Sequence, residues 1–396
     1  MPAQRRRPGR PPEPRPGDRF AKQPYGFPLF CAGPKARVIT ADAWAFLQHL
    51  IERDLPAQAA SRARAYVDQA CDFYRAAENP QIGSKPLLYY YAFLNLVKAA
   101  LLLRGVPIPP RVRHGIEDPA ANVRTRIRLE GQQVRFVGRA ANRSKLFPEL
   151  WAMLGGPTGR PRSFAVIDLL AQIPPIQRTY CSVTDRQTVL VPVSRVEVRR
   201  DSQSVWVRLA FDRHRHDVQA TLPTVASRTT FRGFFRRVHA AAAHEWWYES
   251  TPRPAKGPKL RPAVLKLASD LRALPWSTIA TGDGYRLYLV DVPPREYLHP
   301  LVASYAAMFY LGSITRYKPD VFSKFIDGRH SSIVEEFMAT GPRRSPSHHM
   351  NLTKRGGGSW SRRSSFTNVP FAGYAQCSTD SRGSDAGKAS SGEAVV

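Results

Sequence analysis

The stretch LLYYYAFLNLVKAALLLRG, residues 87–105, decides the fold of this chain because it is the one apolar run of membrane-like character. A helix over Leu87–Arg104 carries apolar side chains nearly all round, which is typical of a helix at the centre of a core. The run contains Asn95 and Lys98, and it is shorter than the roughly 20 predominantly apolar residues of a membrane span. We therefore predict a buried helix in a soluble protein, ended by Gly105.

Helical spacing of apolar residues also occurs upstream and downstream of this run. Upstream, Thr40 is the residue type that caps a helix. We expect a helical unit over residues 35–120, on which C-terminal helices within residues 299–340 pack. The predicted helices besides the central one are Ala41–Leu55, Ala59–Ala77, Leu301–Arg316 and Val321–Met338.

The middle region, residues 121–298, is predicted to be rich in β-structure because apolar and polar residues alternate there. Charged residues occupy every second position in part of it, so one face of the sheet is expected to be wet. Short helices are expected at Leu146–Leu154 and Arg162–Leu170, and a helix or helix end within residues 230–250. The alternating stretches are Val123–Val137, Thr188–Val198, Ser204–Phe211 and Tyr285–Val292.

Both ends of the chain differ in composition from the rest. Residues 1–34 are rich in Pro and Arg, which indicates a disordered basic arm. Residues 341–396 lose all apolar periodicity, which indicates a disordered tail or a frameshifted end. The predicted fold class is therefore α+β, with a helical core from the N- and C-terminal segments, a β-rich middle region and flexible termini.

The charge of the chain is strongly positive. Lys and Arg number 59 against 31 Asp and Glu, giving a formal net charge of +28. Such a surface attracts polyanions, so nucleic acid (RNA or DNA) or an acidic protein is the expected partner. A second interpretation stays open, in which the positive charge comes from mutational bias in a GC-rich genome. Such bias enriches Arg, and 47 of the 59 basic residues are Arg.

The four cysteines are Cys31, Cys71, Cys181 and Cys377. They lie far apart and form no Cys-x-x-Cys pair, which argues against a zinc ribbon and against a disulfide framework. The N-terminus has no apolar segment of the secretory type. A cytoplasmic protein without a membrane partner is expected.

Two polar sets on apolar helices are the candidate site. Tyr91, Asn95 and Lys98 fall at i, i+4 and i+7, hence on one face of the central helix. Buried polar and charged groups need partners, and a Lys ammonium binds phosphate or carboxylate as a point charge.

The second set is Ser313, Arg316 and Tyr317 at the end of the C-terminal apolar helix, where Arg316 can bind an anion with its planar fork. We hypothesise that both sets, together with His114, enclose one anion-binding site. The alternative is a network of buried charges paired with Glu117 or Asp118.

No standard cofactor or metal motif is found. Walker A, GxGxxG and GxSxG signatures are absent, and no cofactor is predicted. Asp212, His214 and His216 alternate as along one face of a strand, but no further ligand cluster accompanies them. No metal site is predicted.

The central helix, followed by Arg113-His114-Gly115, is similar to the bacterial YaaC-like family, in which an aromatic-Asn-Leu-x-Lys-Ala helix precedes a His-Gly step. MFYLGSITRYKPDVF resembles the Ser-x-x-Arg-Tyr-x-Pro element of the same family. The resemblance covers about residues 35–340. It implies kinship and fold, and it implies no reaction.

The N-terminal helices also resemble HEPN domains, many of which are ribonucleases with an Arg-x4–6-His motif. Arg104 and His114 depart from that motif because nine residues separate them. The sequence favours a binding protein over an enzyme and assigns no catalytic residue. A HEPN-like ribonuclease and a protein-interaction scaffold without nucleic-acid binding are the two alternatives.

Overall fold

The computed structural model describes residues 15, 18–22, 42–78, 83–109, 112–117, 129–137, 145–154, 156, 161–239, 244–272, 274–281, 284–292 and 296–348. Its helices are α1 Ala43–Asp54, α2 Ala57–Glu78, α3 Lys85–Leu103, α4 Leu146–Met153, α5 Val166–Ala171, α6 Gln177–Thr184, α7 His216–Ser227, α8 Thr229–Arg232, α9 Leu260–Arg272, α10 Pro300–Tyr317, α11 Pro319–Ile326 and α12 Ser331–His348. Its strands are β1 Asp18–Lys22, β2 Gln133–Phe136, β3 Arg162–Ala165, β4 Leu190–Val193, β5 Arg195–Arg200, β6 Ser204–Asp212, β7 Phe235–Val238, β8 Glu245–Ser250, β9 Arg253–Pro254, β10 Trp276–Thr281 and β11 Gly284–Val290. The predicted α+β class is confirmed.

Helix α3 lies in the centre of a helical core, as its apolar composition predicts. Pro86 stands in its first turn, where the missing N–H leaves no bond unmade. Gly105 follows its end with a left-handed φ of 72°, and the N–H groups of Gly105 and Val106 bond the carbonyls of Leu102 and Leu101. This closing motif satisfies carbonyls that would otherwise lack partners.

Helix α10 packs directly against α3, across more than 200 residues of sequence. Gly312 makes this close approach possible, because a Cβ atom there would lie 3.0 Å from Cβ of Tyr90 and 3.2 Å from the carbonyl oxygen of Pro86. Buried Val302, Tyr305 and Phe309 of α10 belong to the same hydrophobic core as α3. The expected packing of N- and C-terminal helices is therefore present.

A separate unit follows α6 and contains most of the strands. Its larger sheet has six strands in the order β1-β5-β6-β8-β7, with β9 paired to β6, and its smaller sheet has the order β10-β11-β4. All these pairs are antiparallel, with Val198 opposite Val207 and Leu209 opposite Tyr248. Both sheets share one core with α7 and α9.

The boundaries of this sheet unit differ from the predicted middle region. Residues 129–183 were assigned to the β-rich region, yet Val134, Phe147 and Tyr180 pack in the helical core. The reason is that β2 and β3 form only a short two-stranded antiparallel sheet, whose apolar face is covered by α4. The sheet unit begins near Leu190 instead.

The two ends of the sheet unit meet. Leu190 lies opposite Val290 in the β4–β11 ladder, and the N–H of Asp291 bonds the carbonyl of Val189 at 2.6 Å. The chain thus leaves the helical core and returns to it at neighbouring points.

Two local predictions were wrong. The segment predicted as a helix over Arg162–Leu170 starts with strand β3 and becomes α5 only at Val166. Residues 230–250 form the end of α8 followed by β7 and β8, because Trp247 and Tyr248 gain burial by pairing with β6. In both segments, packing against distant parts of the chain determines the secondary structure, and the local spacing of apolar residues does not.

The polar face of the larger sheet is not wet as predicted. Glu197 and Glu249 are buried there, and Glu249 pairs with Arg208 at 2.6 Å. Trp206 on the same face is fully buried. The alternation of charge and apolar residues therefore reflects internal ion pairs.

Parts of both terminal segments form regular structure. Residues 18–22, predicted to lie in the disordered arm, form β1 and pair with β5, which otherwise has a free edge. Helix α12 continues to His348 beyond the predicted boundary at residue 340, because extending a started helix is easier than nucleating one. Apart from Arg15, the rest of both terminal segments lies outside the described residues, as does Thr40. Asp42 caps α1 by accepting from the N–H of Trp44 at 2.8 Å.

Candidate functional site

A hydrogen bond between α3 and α10 joins the two polar sets. Nη1 of Arg316 donates to the hydroxyl of Tyr91 at 2.9 Å. The half-buried ring of Tyr91 is held by stacking on Phe73 of α2, with ring centroids 5.3 Å apart. The guanidinium of Arg316 is thereby held at the end of α10, while Arg316 itself is exposed.

Lys98 lies about two helical turns beyond Tyr91 on α3 and is half-buried. Its Nζ donates to Oδ1 of Asn95 at 3.3 Å and lies 5.0 Å from the ring centroid of Tyr66. Nδ2 of buried Asn95 in turn donates to Gln69 at 3.4 Å. Asn95 therefore positions the ammonium of Lys98 and ties it to α2.

His114 stands on a loop whose backbone is fixed on both sides. The carbonyls of Arg113 and His114 accept from the N–H groups that start α4, at 3.0 and 2.9 Å. Gly115 takes a left-handed φ of 81°, and a Cβ atom there would lie 2.6 Å from Cδ of Pro148. Only glycine fits this position, so the His-Gly step fixes the direction of the histidine.

The ring of His114 joins α3 and α10. Its Nδ1 lies 2.7 Å from the hydroxyl of Tyr90, and its ring centroid is 5.9 Å from that of Phe309. Burial and the neighbouring Tyr305 raise the pKa of Tyr90 well above its ordinary value, so Tyr90 is a neutral phenol. In the described part of the chain, nothing bonds Nε2 of His114, and the residue is exposed.

Lys98 and Arg316 act on the same imidazole. Partial desolvation of the ring, then the charges of Lys98 and Arg316, lower the pKa of His114 below its ordinary 6.5. Burial alone lowers the pKa of Lys98. We name Lys98, His114 and Arg316 the anion cluster. It concentrates positive charge at a partly desolvated surface, where an anion is held more strongly than in open water.

The alternative of a paired charge network finds no carboxylate partner among the described residues. Among the residues that the structure describes, neither Lys98 nor Arg316 forms an ion pair with a carboxylate. Glu117, one of the predicted partners, lies 3.4 Å from Arg135 instead, and Asp118 lies outside the described residues. The anion cluster thus carries positive charge that no described acidic side chain neutralises.

The remaining predicted site residues take different places. Ser313 is buried within α10, away from solvent. Tyr317 is exposed, and the guanidinium of Arg316 lies 5.0 Å from its ring centroid. Sequence reasoning missed Tyr90 and Tyr66, which hold His114 and Lys98. The run of three tyrosines at 89–91 was a signal, since one turn of helix directs such neighbours to different surfaces.

No metal centre is formed in the described part of the chain, where no group of three potential ligands comes together. Strand β6 ends at Asp212, His214 lies in the following turn and His216 begins α7, so the three do not share one strand face. Cys71 and Cys181 are free thiols.

Helix α3 is the one helix of the described residues that is long and apolar enough to cross a membrane by length and composition. Of that window, 67% is buried inside the protein, which is the environment of a core helix.

A family model described as YaaC-like Protein matches residues 30–352. The chain belongs to the YaaC-like family. The region matched to the YaaC-like model contains α3, the loop of His114 and α10, so the whole candidate site lies within it. Comparisons with curated proteins and with solved structures find no match. The resemblance to HEPN domains stays a hypothesis.

Proposed function

We propose that this YaaC-like protein binds nucleic acid, RNA or DNA, by its phosphate backbone at the anion cluster. Two observations carry the proposal: the Arg316–Tyr91 bond joins the two polar sets, and the charges of Lys98 and Arg316 both lower the pKa of His114 while no described carboxylate pairs with either. Phosphate oxygens accept hydrogen bonds from all three side chains, and Arg is particularly suited to bind them in a bidentate manner.

The charge of the whole chain supports a polyanion over a single small anion. A net charge of +28 attracts a polyanion over long distances and increases its rate of association. A small phosphate-bearing metabolite would gain little from charge outside the site. A cytoplasmic location belongs to the same proposal, since nucleic acid is present there and the free thiols of Cys71 and Cys181 stay reduced.

The test is binding of a fluorescent oligonucleotide at several salt concentrations. Each phosphate contact contributes about 0.7 to 0.9 to the slope of log affinity against log salt. Lys98→Gln and Arg316→Gln are each expected to weaken binding and to reduce that slope by about 1. Arg64→Gln is the matched control, because Arg64 is an exposed arginine on α2 that pairs with Glu52 at 2.9 Å.

Equal affinity of the Lys98 and Arg316 variants and the wild-type protein would overturn the proposed site. If the protein binds no oligonucleotide even at low salt but still binds an acidic protein partner, the interaction scaffold is favoured. Cleavage of RNA that His114→Ala abolishes would favour the ribonuclease alternative.

A further inference from the structure

Tyr317 is the one large hydrophobic side chain that is exposed among the residues described, with 53% of its surface open to solvent. Large aromatic side chains normally gain free energy from burial, and this one directly follows α10's last arginine. In the described part of the chain, no hydrogen bond to its hydroxyl is formed. Its position is therefore not explained by packing.

The ring of Tyr317 lies next to the anion cluster. The guanidinium of Arg316 is 5.0 Å from the ring centroid and occupies one face. The same guanidinium is bonded to Tyr91, which keeps it between the two tyrosines. A planar group bound on the open face of Tyr317 would therefore lie beside a phosphate bound at Arg316.

We infer that the ligand is single-stranded nucleic acid, with an unpaired base stacked on Tyr317 and its phosphate on Arg316 and Lys98. This inference rests on the proposed function and specifies its substrate class. Stacking of bases on aromatic side chains beside cationic groups is the common way in which proteins hold single strands. In a duplex the base faces are already covered by neighbouring bases, so a duplex presents only its phosphates to the site.

The location of Tyr317 at a helix end fits this role. The chain turns at Lys318 into α11, so the ring projects at a corner between two helices. An extended strand passing this corner reaches Tyr317 and the anion cluster together. A compact anion such as inorganic phosphate contacts the cluster alone.

The experiment compares a single-stranded oligonucleotide with a duplex of equal length, at one salt concentration, for the full-length wild-type protein and three variants. Tyr317→Leu keeps an apolar side chain and removes the ring; it is expected to lower single-strand affinity about tenfold and to leave duplex affinity unchanged. Tyr317→Phe retains the ring and is expected to retain the single-strand preference. Arg64→Gln is again the control for folding and general charge.

The inference is overturned if Tyr317→Leu binds the single strand as tightly as the wild-type protein, or if it weakens both ligands equally. In either case the proposed function stands as long as Lys98→Gln and Arg316→Gln still weaken binding. If these two variants also have no effect, the proposed function fails as well. Thermal unfolding of Tyr317→Leu is expected to match the wild-type protein because the side chain is exposed.

Discussion

In the proposed function, His114 makes phosphate binding at the anion cluster depend on pH. Its pKa is below the ordinary 6.5 because of desolvation and because Lys98 and Arg316 repel a third positive charge. A bound phosphate neutralises that repulsion and favours the imidazolium, so binding raises the pKa and takes up a proton. Affinity is therefore expected to increase as the pH falls through the pKa of His114 in the complex.

This dependence is measured with an oligothymidylate, whose bases do not titrate near neutral pH. His114→Gln is expected to bind with an affinity that hardly changes over the same pH range. A variant that retains the full dependence would show that another group takes up the proton.

His299 gives the stability of the fold its own pH dependence. Its Nδ1 accepts from the N–H of Leu301 at 3.2 Å and caps α10, and desolvation by burial lowers its pKa to about 4. The unfolded chain binds a proton below the ordinary 6.5, whereas the folded chain does so only near 4. Stability from this residue is therefore present above the unfolded pKa and is lost as the pH falls from about 6.5 to about 4, by roughly 3 kcal/mol.

Urea unfolding across that pH range measures the loss. His299→Asn keeps a side-chain oxygen that caps the helix and has no titrating group. The difference in unfolding free energy between the variant and the wild-type protein should change with pH in the stated direction. An unchanged difference would contradict the assignment.

At the scale of the elements, the contact of α3 with α10 depends on Gly312. Gly312→Val places side-chain atoms against Tyr90 and Pro86, and overpacking of this kind destabilises by about 1–3 kcal/mol. Arg316 lies one turn further along α10, so the same variant is expected to weaken oligonucleotide binding. Gly83→Val is the matched control, because a Cβ atom there meets nothing within 4 Å, and its effect should stay within about 0.5 kcal/mol.

The helices were largely predictable from the sequence, and several strands were not. Predicted Ala59–Ala77 and Leu301–Arg316 correspond to α2 and α10 within two residues because their apolar stripes face one core. Residues 230–250 misled the prediction because their burial comes from β6, which lies far away in sequence. For the candidate site, spacing on α3 and α10 was enough to propose Lys98 and Arg316. The hydrogen bond between Tyr90 and His114 depends on how the loop of His114 folds back onto α3, and the local spacing of residues carries no information about that.

At the scale of the whole molecule, β1 attaches the N-terminal segment to the sheet unit. It pairs with β5, and the N–H of Arg15 donates to buried Glu249 at 3.3 Å. Deletion of residues 1–22 would leave the edge of β5 unpaired, and such edges promote association between chains. We expect the deleted protein to unfold at lower temperature and to self-associate in sedimentation velocity.

Deletion of residues 1–13 is the control, because it leaves this pairing intact, and the shortened protein should behave as the full chain. Equal behaviour of the two deletion variants would contradict the role of β1.

The hydrogen bond between Tyr91 and Arg316 spans 225 positions of sequence. During synthesis on the ribosome, α3 therefore emerges long before the arginine that completes its site. A nascent or prematurely terminated polypeptide lacking α10 contains Lys98 and His114 but cannot assemble the complete anion cluster, because Arg316 is missing. If the proposed site binds phosphate, only a nearly finished molecule is competent to bind it, and an unfinished chain does not compete for the ligand.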